Sequence, residues 1–149
     1  MMNVMVLGGY GNFGARISRA LSDDDRIQLL VAGRDAQQAK AFAAALPGCA
    51  KGVVVDMHNA SFAQALQDHG VCLLIHTAGP FQGQDYAVAR ACAKAGVHYI
   101  DLADGRRFVC DFPRALNAAF VDAGRVAISG ASTVPALSSA VVDSLCAGW

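Results

Sequence analysis

The chain has 149 residues, of which 54% are hydrophobic and 16% are charged, and its formal net charge is zero. A composition this apolar excludes an intrinsically disordered chain, and the charge balance provides no long-range field that would attract nucleic acid or an anionic membrane. We therefore expect neither partner and predict a cytoplasmic protein of one domain's length, whose core needs no disulfide or metal.

Short apolar runs alternate with amphipathic stretches along the whole sequence. In chain order, the apolar runs predict strands at residues 4–7, 28–32, 52–55, 71–77, 97–102 and 125–129. The stretches between and after them carry apolar residues at helical spacing and predict helices at residues 13–21, 36–46, 62–69, 84–95, 108–123 and 136–146. Asp35 is expected to cap the second helix, and Gly96 is expected to end the fourth.

The predicted strands define the fold class. Polar and apolar residues do not alternate along them. Such continuously apolar strands are typical of a parallel sheet that is covered on both faces. Because strand–helix–strand connections are right-handed, we predict an α/β fold. Its sheet is doubly wound, mostly parallel and of the Rossmann type, with about six strands and helices on both faces.

A glycine-rich turn joins the first strand to the first helix. Gly9, Gly11 and Gly14 form the pattern G-x-G-x-x-G in the strand–turn–helix context that gives it meaning. We expect Gly9 to permit the tight turn, Gly11 to let a pyrophosphate approach the backbone, and Gly14 to let the helix pack closely. The alternative is a turn that serves packing alone. We predict dinucleotide phosphates at the amide groups and helix N-terminus of Gly8, Gly9, Tyr10, Gly11, Asn12, Phe13 and Gly14.

The end of the second strand bears on the choice of cofactor. An NAD site usually has an acidic residue there, which binds the ribose 2′-hydroxyl. In this chain Gly33 is followed by Arg34, whose planar guanidinium suits a 2′-phosphate. Asp35 comes one residue later and is interpreted as a helix cap. We therefore predict that NADP(H) is preferred over NAD(H).

Asp56 follows the third strand and has two possible roles. Its carboxylate can accept a hydrogen bond from an adenine amino group, or it can cap the next helix. Asn59 competes for the capping role. Both interpretations of Asp56 remain open at this point.

Neither the cysteines nor the histidines are spaced as metal ligands. The five cysteines are odd in number and form no C-x-x-C pair, so we expect no disulfide framework, no metal site and a reducing compartment. His76 lies inside the fourth predicted strand and is expected to be a hydrogen-bonded core residue rather than a catalytic base.

No catalytic group can be assigned from the sequence. Short-chain dehydrogenases need a Tyr followed four residues later by Lys, but Tyr86 is followed at that spacing by Arg90, and Tyr99 by Ala103. The G-x-S-x-G turn of many hydrolases is also missing from the sequence.

The sequence resembles the NADP-binding domain of saccharopine dehydrogenase-like proteins over nearly its whole length. The resemblance rests on the glycine turn, on AGRD at residues 32–35, on TAGPF at 77–81, on GVHYIDLAD at 96–104, and on Ser129-Gly130 with the following Pro135. It implies that Ala78, Gly79 and Pro80 line the nicotinamide-ribose side of the cofactor. Asp101 and Asp104 follow the fifth strand and either face substrate or cap the next helix.

The resemblance also implies a larger protein. Residues 1–149 would be the NAD(P)-binding Rossmann domain at the N-terminal end of a two-domain oxidoreductase. Hydride transfer would require the missing domain, which binds the small-molecule substrate, and this segment alone would be inactive. We expect the apolar excess on the last helix and the cofactor-side edge, where that domain or a second copy (a homodimer) would dock. The alternative function is a non-catalytic dinucleotide-binding sensor or regulatory module.

Overall fold

The computed structural model describes residues 1–147, with the side chain of Pro135 excepted. The strands are β1 (Met2–Leu7), β2 (Ile27–Gly33), β3 (Ala50–Val54), β4 (Leu73–His76), β5 (His98–Asp101) and β6 (Ala127–Ile128). The helices are α1 (Asn12–Leu21), α2 (Ala36–Ala44), α3 (Phe62–Asp68), α4 (Ala87–Ala95), α5 (Arg106–Asp122) and α6 (Ser138–Cys146), and a single π-helical turn (Thr133–Leu137) precedes α6.

The six strands form one parallel sheet in the order β3-β2-β1-β4-β5-β6. The chain runs from β1 outward to β3, crosses back to β4 and then runs outward again to β6. The order therefore reverses between β1 and β4, which is the switch point where ligands of such sheets bind. The predicted doubly wound α/β fold is confirmed.

The two faces of the sheet have separate cores. Met5 and Leu7 of β1 belong to the larger core, which is shared with buried residues of α3, α4 and α5. Val6 points to the opposite face and belongs to a smaller core, which includes residues of α1 and α2. Helices thus cover both faces, because neighbouring residues of a strand point to opposite sides.

Two local predictions about helix ends are confirmed. Oδ1 of Asp35 accepts hydrogen bonds from the backbone amides of Gln37 and Gln38, both at 2.9 Å, and so caps α2. Gly96 ends α4 in the left-handed conformation, with φ of +72°. This φ favours glycine, since a Cβ would be strained there.

Two helices begin later than their sequences predict. α4 begins at Ala87 rather than near residue 84 because Gln84 turns back to bind the preceding loop. The last helix is interrupted, since the π-helical turn covers Thr133–Leu137 and α6 begins only at Ser138.

The smaller-core face is covered unevenly. Val6, Ile75, Ile100 and Ile128 form a row across β1, β4, β5 and β6 on this face. Val6 is fully buried, Ile75 and Ile100 are half-buried, and Ile128 is 49% exposed. None of the α6 residues is buried within the described part of the chain, although the helix carries several apolar side chains. The predicted apolar excess on the last helix is confirmed.

All five cysteines lie within the described residues and are free thiols; Cys92 is buried and the other four are exposed. Among residues 1–147, no helix combines the length and the apolar character that crossing a membrane requires.

Candidate dinucleotide-binding site

The turn between β1 and α1 requires glycine for two different reasons. Gly8 has φ of +80°, a conformation that glycine adopts without strain, whereas Gly9 does not have positive φ. A Cβ on Gly9 would lie 2.8 Å from the carbonyl oxygen of Val6 and 3.1 Å from Cγ1 of Val31. The prediction that Gly9 permits the tight turn is therefore wrong in detail: Gly8 makes the turn, and Gly9 lets it lie close to the sheet.

The third glycine of the motif lets α1 start directly against the turn. A Cβ on Gly14 would overlap the carbonyl oxygen of Gly8 and lie 2.8 Å from Cα of Gly9. The buried hydroxyl of Ser18, one helical turn further, donates a 3.0 Å hydrogen bond to the carbonyl oxygen of Gly9. The sequence prediction did not include Ser18, although its spacing of four residues from Gly14 places both on one helix face.

Within residues 1–147, no side chain caps the N-terminus of α1. Gly11 occupies the N-cap position, and the first turn contains no acidic residue. Gly11, Asn12 and Phe13 are exposed, and the nearest atom to a Cβ on Gly11 would be the Gly8 carbonyl oxygen at 3.2 Å. The Gly11 amide donates to the Gly8 carbonyl oxygen at 2.9 Å, whereas the amides of Asn12, Phe13 and Gly14 have no acceptor among the described residues. Together with the positive end of the helix dipole, these three amides suit an anion.

Hydrogen bonds hold the loop after β4 beside the glycine turn. Oγ1 of Thr77 donates to the carbonyl oxygen of Leu7 at 2.8 Å. Nε2 of Gln84 donates to the carbonyl oxygens of Ala78 at 3.0 Å and Pro80 at 2.7 Å. The predicted residues Ala78, Gly79 and Pro80 therefore lie at the switch point, and the Gly79–Pro80 peptide is cis. The sequence prediction missed the roles of Thr77 and Gln84, because only strand pairing and loop geometry reveal them.

Just after β2, the side chain of Arg34 is exposed, while the carboxylate of Asp35 is hydrogen-bonded to the start of α2. The side chain of Asp35 accepts bonds from Gln37 and Gln38, and the bonds from the Gln38 backbone and side chain lower the pKa of Asp35. The guanidinium of Arg34 has no hydrogen bond or ion pair with any of residues 1–147. The Arg34 guanidinium is therefore available to a ligand, whereas the Asp35 carboxylate already caps α2.

Asp56 is exposed just after β3, but it does not cap α3. Its Oδ1 accepts a 3.0 Å hydrogen bond from the backbone amide of His58, and Asn59 likewise accepts from Ser61. The N-cap residue of α3 is Ser61, and no side chain of the described residues caps that helix. The capping interpretations of Asp56 and Asn59 are both wrong, because these side chains form tight turns before the helix begins.

Asp101 has neither of the roles that the sequence left open. It is fully buried, and its Oδ1 accepts hydrogen bonds from the Ala103 amide, the Ser129 hydroxyl and the Gly130 amide. It thus fastens the loop after β6 to the end of β5. Asp104 does not cap α5, because the N-cap residue of that helix is Gly105. The carboxylate of Asp104 is exposed and accepts a 3.0 Å hydrogen bond from Nε2 of Gln82.

His76 is buried at the end of β4 and is only half satisfied. Its Nδ1 lies 3.0 Å from the hydroxyl of Tyr99, but its Nε2 has no hydrogen-bond partner among the described residues, and neither has Oδ2 of Asp101. Burial lowers the pKa of His76 to about 4, so the ring is neutral at pH 7. The expectation of a core residue is met, and the expectation of a fully hydrogen-bonded one is not.

A cavity of about 1010 Å³ opens at the carboxyl edge of the sheet. The start of α1, the loop after β4 and the π-helical turn provide its walls, which include Phe13, Gly79, Phe81 and Leu137. Asp104 is the only ionisable side chain among its described lining residues. The cavity therefore adjoins the glycine turn and offers mostly apolar walls.

A glycine turn at the switch point of a doubly wound parallel sheet defines the class of dinucleotide-binding domains. Within that class, the family described as "Saccharopine dehydrogenase NADP binding domain" has a sequence model that matches residues 4–128. The chain belongs to this family.

Three relatives show how far the likeness extends. Carboxyaminopropylagmatine dehydrogenase from Synechocystis sp. is 30% identical over 145 residues, which cover 93% of this chain and 36% of that protein. The structure of apo saccharopine dehydrogenase (L-Glu forming) from Saccharomyces cerevisiae superposes with a TM-score of 0.77 at 20% identity, covering 97% of this chain and 30% of the yeast chain. An engineered D-amino acid dehydrogenase bound to NADP+ gives a TM-score of 0.67 at 22% identity, covering 98% of this chain and 42% of the other. The two structural likenesses show the fold, and the chain spans about a third of the first two relatives.

Proposed function

We propose that this domain binds NADP(H) in preference to NAD(H) and serves as the cofactor-binding part of a saccharopine dehydrogenase-like oxidoreductase. The observation that carries the preference is at the end of β2, where Arg34 is free and Asp35 caps α2. A free guanidinium suits a 2′-phosphate, and a carboxylate already bound to two helix amides is a poor acceptor for a 2′-hydroxyl.

The residues at the switch point fit a dinucleotide. A side chain at Gly8, Gly9 or Gly14 would contact neighbouring atoms of the turn or the sheet too closely, so the tight turn requires glycine at these positions. The uncapped start of α1 offers its amides to the pyrophosphate. In this proposal the amides of Asn12, Phe13 and Gly14 bind the pyrophosphate, and the 2′-phosphate contacts Arg34. The pyrophosphate also lies against Gly8, Gly9, Tyr10 and Gly11, but the amides of Gly8 and Gly9 already donate to the Ala32 carbonyl oxygen and that of Gly11 to the Gly8 carbonyl oxygen. Asp56 accepts from the adenine amino group, and Ala78, Gly79 and Pro80 lie against the nicotinamide ribose.

The chemistry that the cofactor supplies when bound is hydride transfer. The chain's own residues bind and orient it: the glycine turn holds the central pyrophosphate, and the loop fixed by Gln84 lies where the nicotinamide half would pass. The adjoining cavity offers that half mostly apolar walls, which would limit access of water once the open side is covered. Asp104 is the only ionisable side chain on the described walls of that cavity, and the buried, neutral ring of His76 does not line it.

We further propose that a second domain completes the substrate site, with a second copy of the chain as the other candidate. The cavity is open beside the π-helical turn, and α6 and Ile128 leave apolar surface uncovered. The related dehydrogenases are about three times as long as the segment that they share with this chain. The five free thiols support a reducing, cytoplasmic location.

Parallel titrations of residues 1–149 with NADPH and NADH test the cofactor assignment. We expect saturable binding of both, with a lower Kd for NADPH. Equal affinities would overturn the preference. Failure to bind either cofactor would overturn the proposed function and leave the fold unaffected.

A further inference from the structure

The aromatic ring of Tyr10 lies on the end of β2. A Cβ on Gly33 would be 2.5 Å from Cζ of Tyr10, so the ring occupies the space that any larger residue at position 33 would need. Gly33 is buried and Tyr10 is half-buried, packing against the smaller core. The glycine turn therefore contacts the end of β2 directly, because the Tyr10 ring packs against the backbone of Gly33.

The hydroxyl of Tyr10 makes a second contact two residues further. It accepts a 3.1 Å hydrogen bond from the backbone amide of Asp35. Asp35 is itself fixed, because its carboxylate caps α2. Tyr10 thus touches the residues on both sides of Arg34: the ring covers Gly33, and the hydroxyl binds Asp35.

We propose that Tyr10 is a positioning residue that sets the preference for a 2′-phosphate, an inference that rests on the proposed function. A dinucleotide held at the glycine turn can place its 2′-phosphate only within a limited distance of that turn, because the ribose joins the two. Arg34 gains affinity for this phosphate only where its backbone is already held at the matching place, since ordering it on binding costs free energy. Tyr10 holds the backbone of Arg34 at a constant place relative to the turn.

The Tyr10→Phe variant tests the hydroxyl contact alone, because the ring over Gly33 remains. We expect the Kd for NADPH to rise about 2- to 12-fold, the range for one hydrogen bond, while the Kd for NADH is unchanged. The pair 2′,5′-ADP and 5′-AMP, which differ by the 2′-phosphate, should show the same loss of discrimination. Tyr86→Phe is the matched control, since its hydroxyl donates to the Phe108 carbonyl oxygen away from the turn, and it should leave both Kd values unchanged.

The ring contact is tested by a double-mutant cycle. In Gly33→Ala the new methyl group collides with the ring, so the ratio of the NADH and NADPH Kd values should fall. Tyr10→Ala removes the ring, and the double variant should then lose little more discrimination than Tyr10→Ala alone, because the methyl group has its space. If Gly33→Ala does not fold, Tyr10→Phe still decides the proposal.

The outcomes separate the two proposals. If the wild-type chain prefers NADPH and Tyr10→Phe has the same ratio of NADH and NADPH Kd values, the role of Tyr10 is overturned. The proposed function is then unaffected. A Tyr10→Phe variant with a lower melting temperature and an unchanged ratio of the two Kd values would also overturn the role of Tyr10, because a purely structural contact does not distinguish the two cofactors. A wild-type chain without preference, or without binding, overturns both.

Discussion

Asp101 accepts a 2.8 Å hydrogen bond from the backbone amide of Gly130, although the two residues are 29 positions apart in the chain. The same Oδ1 also accepts from Ala103 and Ser129, and the Asp101 carbonyl oxygen accepts from Ala131. One buried residue at the end of β5 therefore determines where the loop after β6 lies. That loop leads into the π-helical turn that lines the large cavity.

Asp101→Ala should lower the free energy of unfolding by about 3 kcal/mol, because it leaves the buried amides of Ala103 and Gly130 without their acceptor. Asp101→Asn keeps an oxygen acceptor and should cost less than half as much. Urea denaturation of both variants measures the difference. Equal losses for the two would show that the charge of Asp101, rather than its acceptor geometry, is what stabilises the loop.

The buried ring of His76 should make stability depend on pH. Its pKa is about 4 in the folded state and about 6.5 when unfolded, so the unfolded chain takes up the proton first as the pH falls. The stability is fully present above pH 6.5 and is lost toward pH 4, by about 3 kcal/mol in total. Denaturation between pH 7 and 4.5 measures this loss.

His76→Asn removes the titrating ring and should flatten the pH dependence over that range. His58→Asn is the matched control, since His58 is exposed, and it should keep the wild-type slope. A His76→Asn variant with an unchanged slope would assign the pH dependence to other groups.

Arg34→Ala should weaken NADPH binding by about 1.5–3 kcal/mol, the contribution of a hydrogen bond to a charged group. The affinity for NADH should remain nearly the same, because NADH lacks the phosphate. Fluorescence titration measures both values. Arg114→Ala, an exposed arginine of α5, is the control and should change neither. Equal losses for both cofactors with Arg34→Ala would contradict the assignment.

Residues 1–149 alone should not oxidise NADPH in the presence of amino-acid or carbonyl substrates, although they bind the cofactor. The reason is that the substrate site is proposed to be completed by a second domain, and the described walls of the cavity contain one ionisable side chain, Asp104. A spectrophotometric assay of NADPH consumption measures this. Turnover above the rate without protein would contradict the requirement for a second domain.

The features that the sequence predicts correctly are local. The strands, the glycine turn and the Asp35 cap depend on residues within a few positions of each other, so periodicity and capping rules suffice to find them. The doubly wound topology also follows, because right-handed crossovers leave few topologies. Together these rules are enough to place Arg34 and Gly79 at the same edge of the sheet.

The features that the sequence does not predict depend on contacts between distant residues. The exchange of roles between Gly8 and Gly9 arises because the loop after β4 and the side chain of Val31 crowd the turn. The Ser129 and Gly130 donors reach Asp101 only once β5 and β6 pair. The close approach of the Tyr10 ring to Gly33 depends on where β2 ends relative to β1, which no sequence pattern specifies.

The uneven cover of the smaller-core face has a consequence for the motions of the sheet. Amide protons of β1, which pairs on both sides beneath a closed core, should exchange with solvent only when the whole domain unfolds. β6 pairs on one side through only two residues, and Ile128 is half exposed, so its amides should exchange through local opening. The strands beside the glycine turn therefore form the slowly exchanging platform of the domain, and the protection of β6 reports directly on whatever covers that edge.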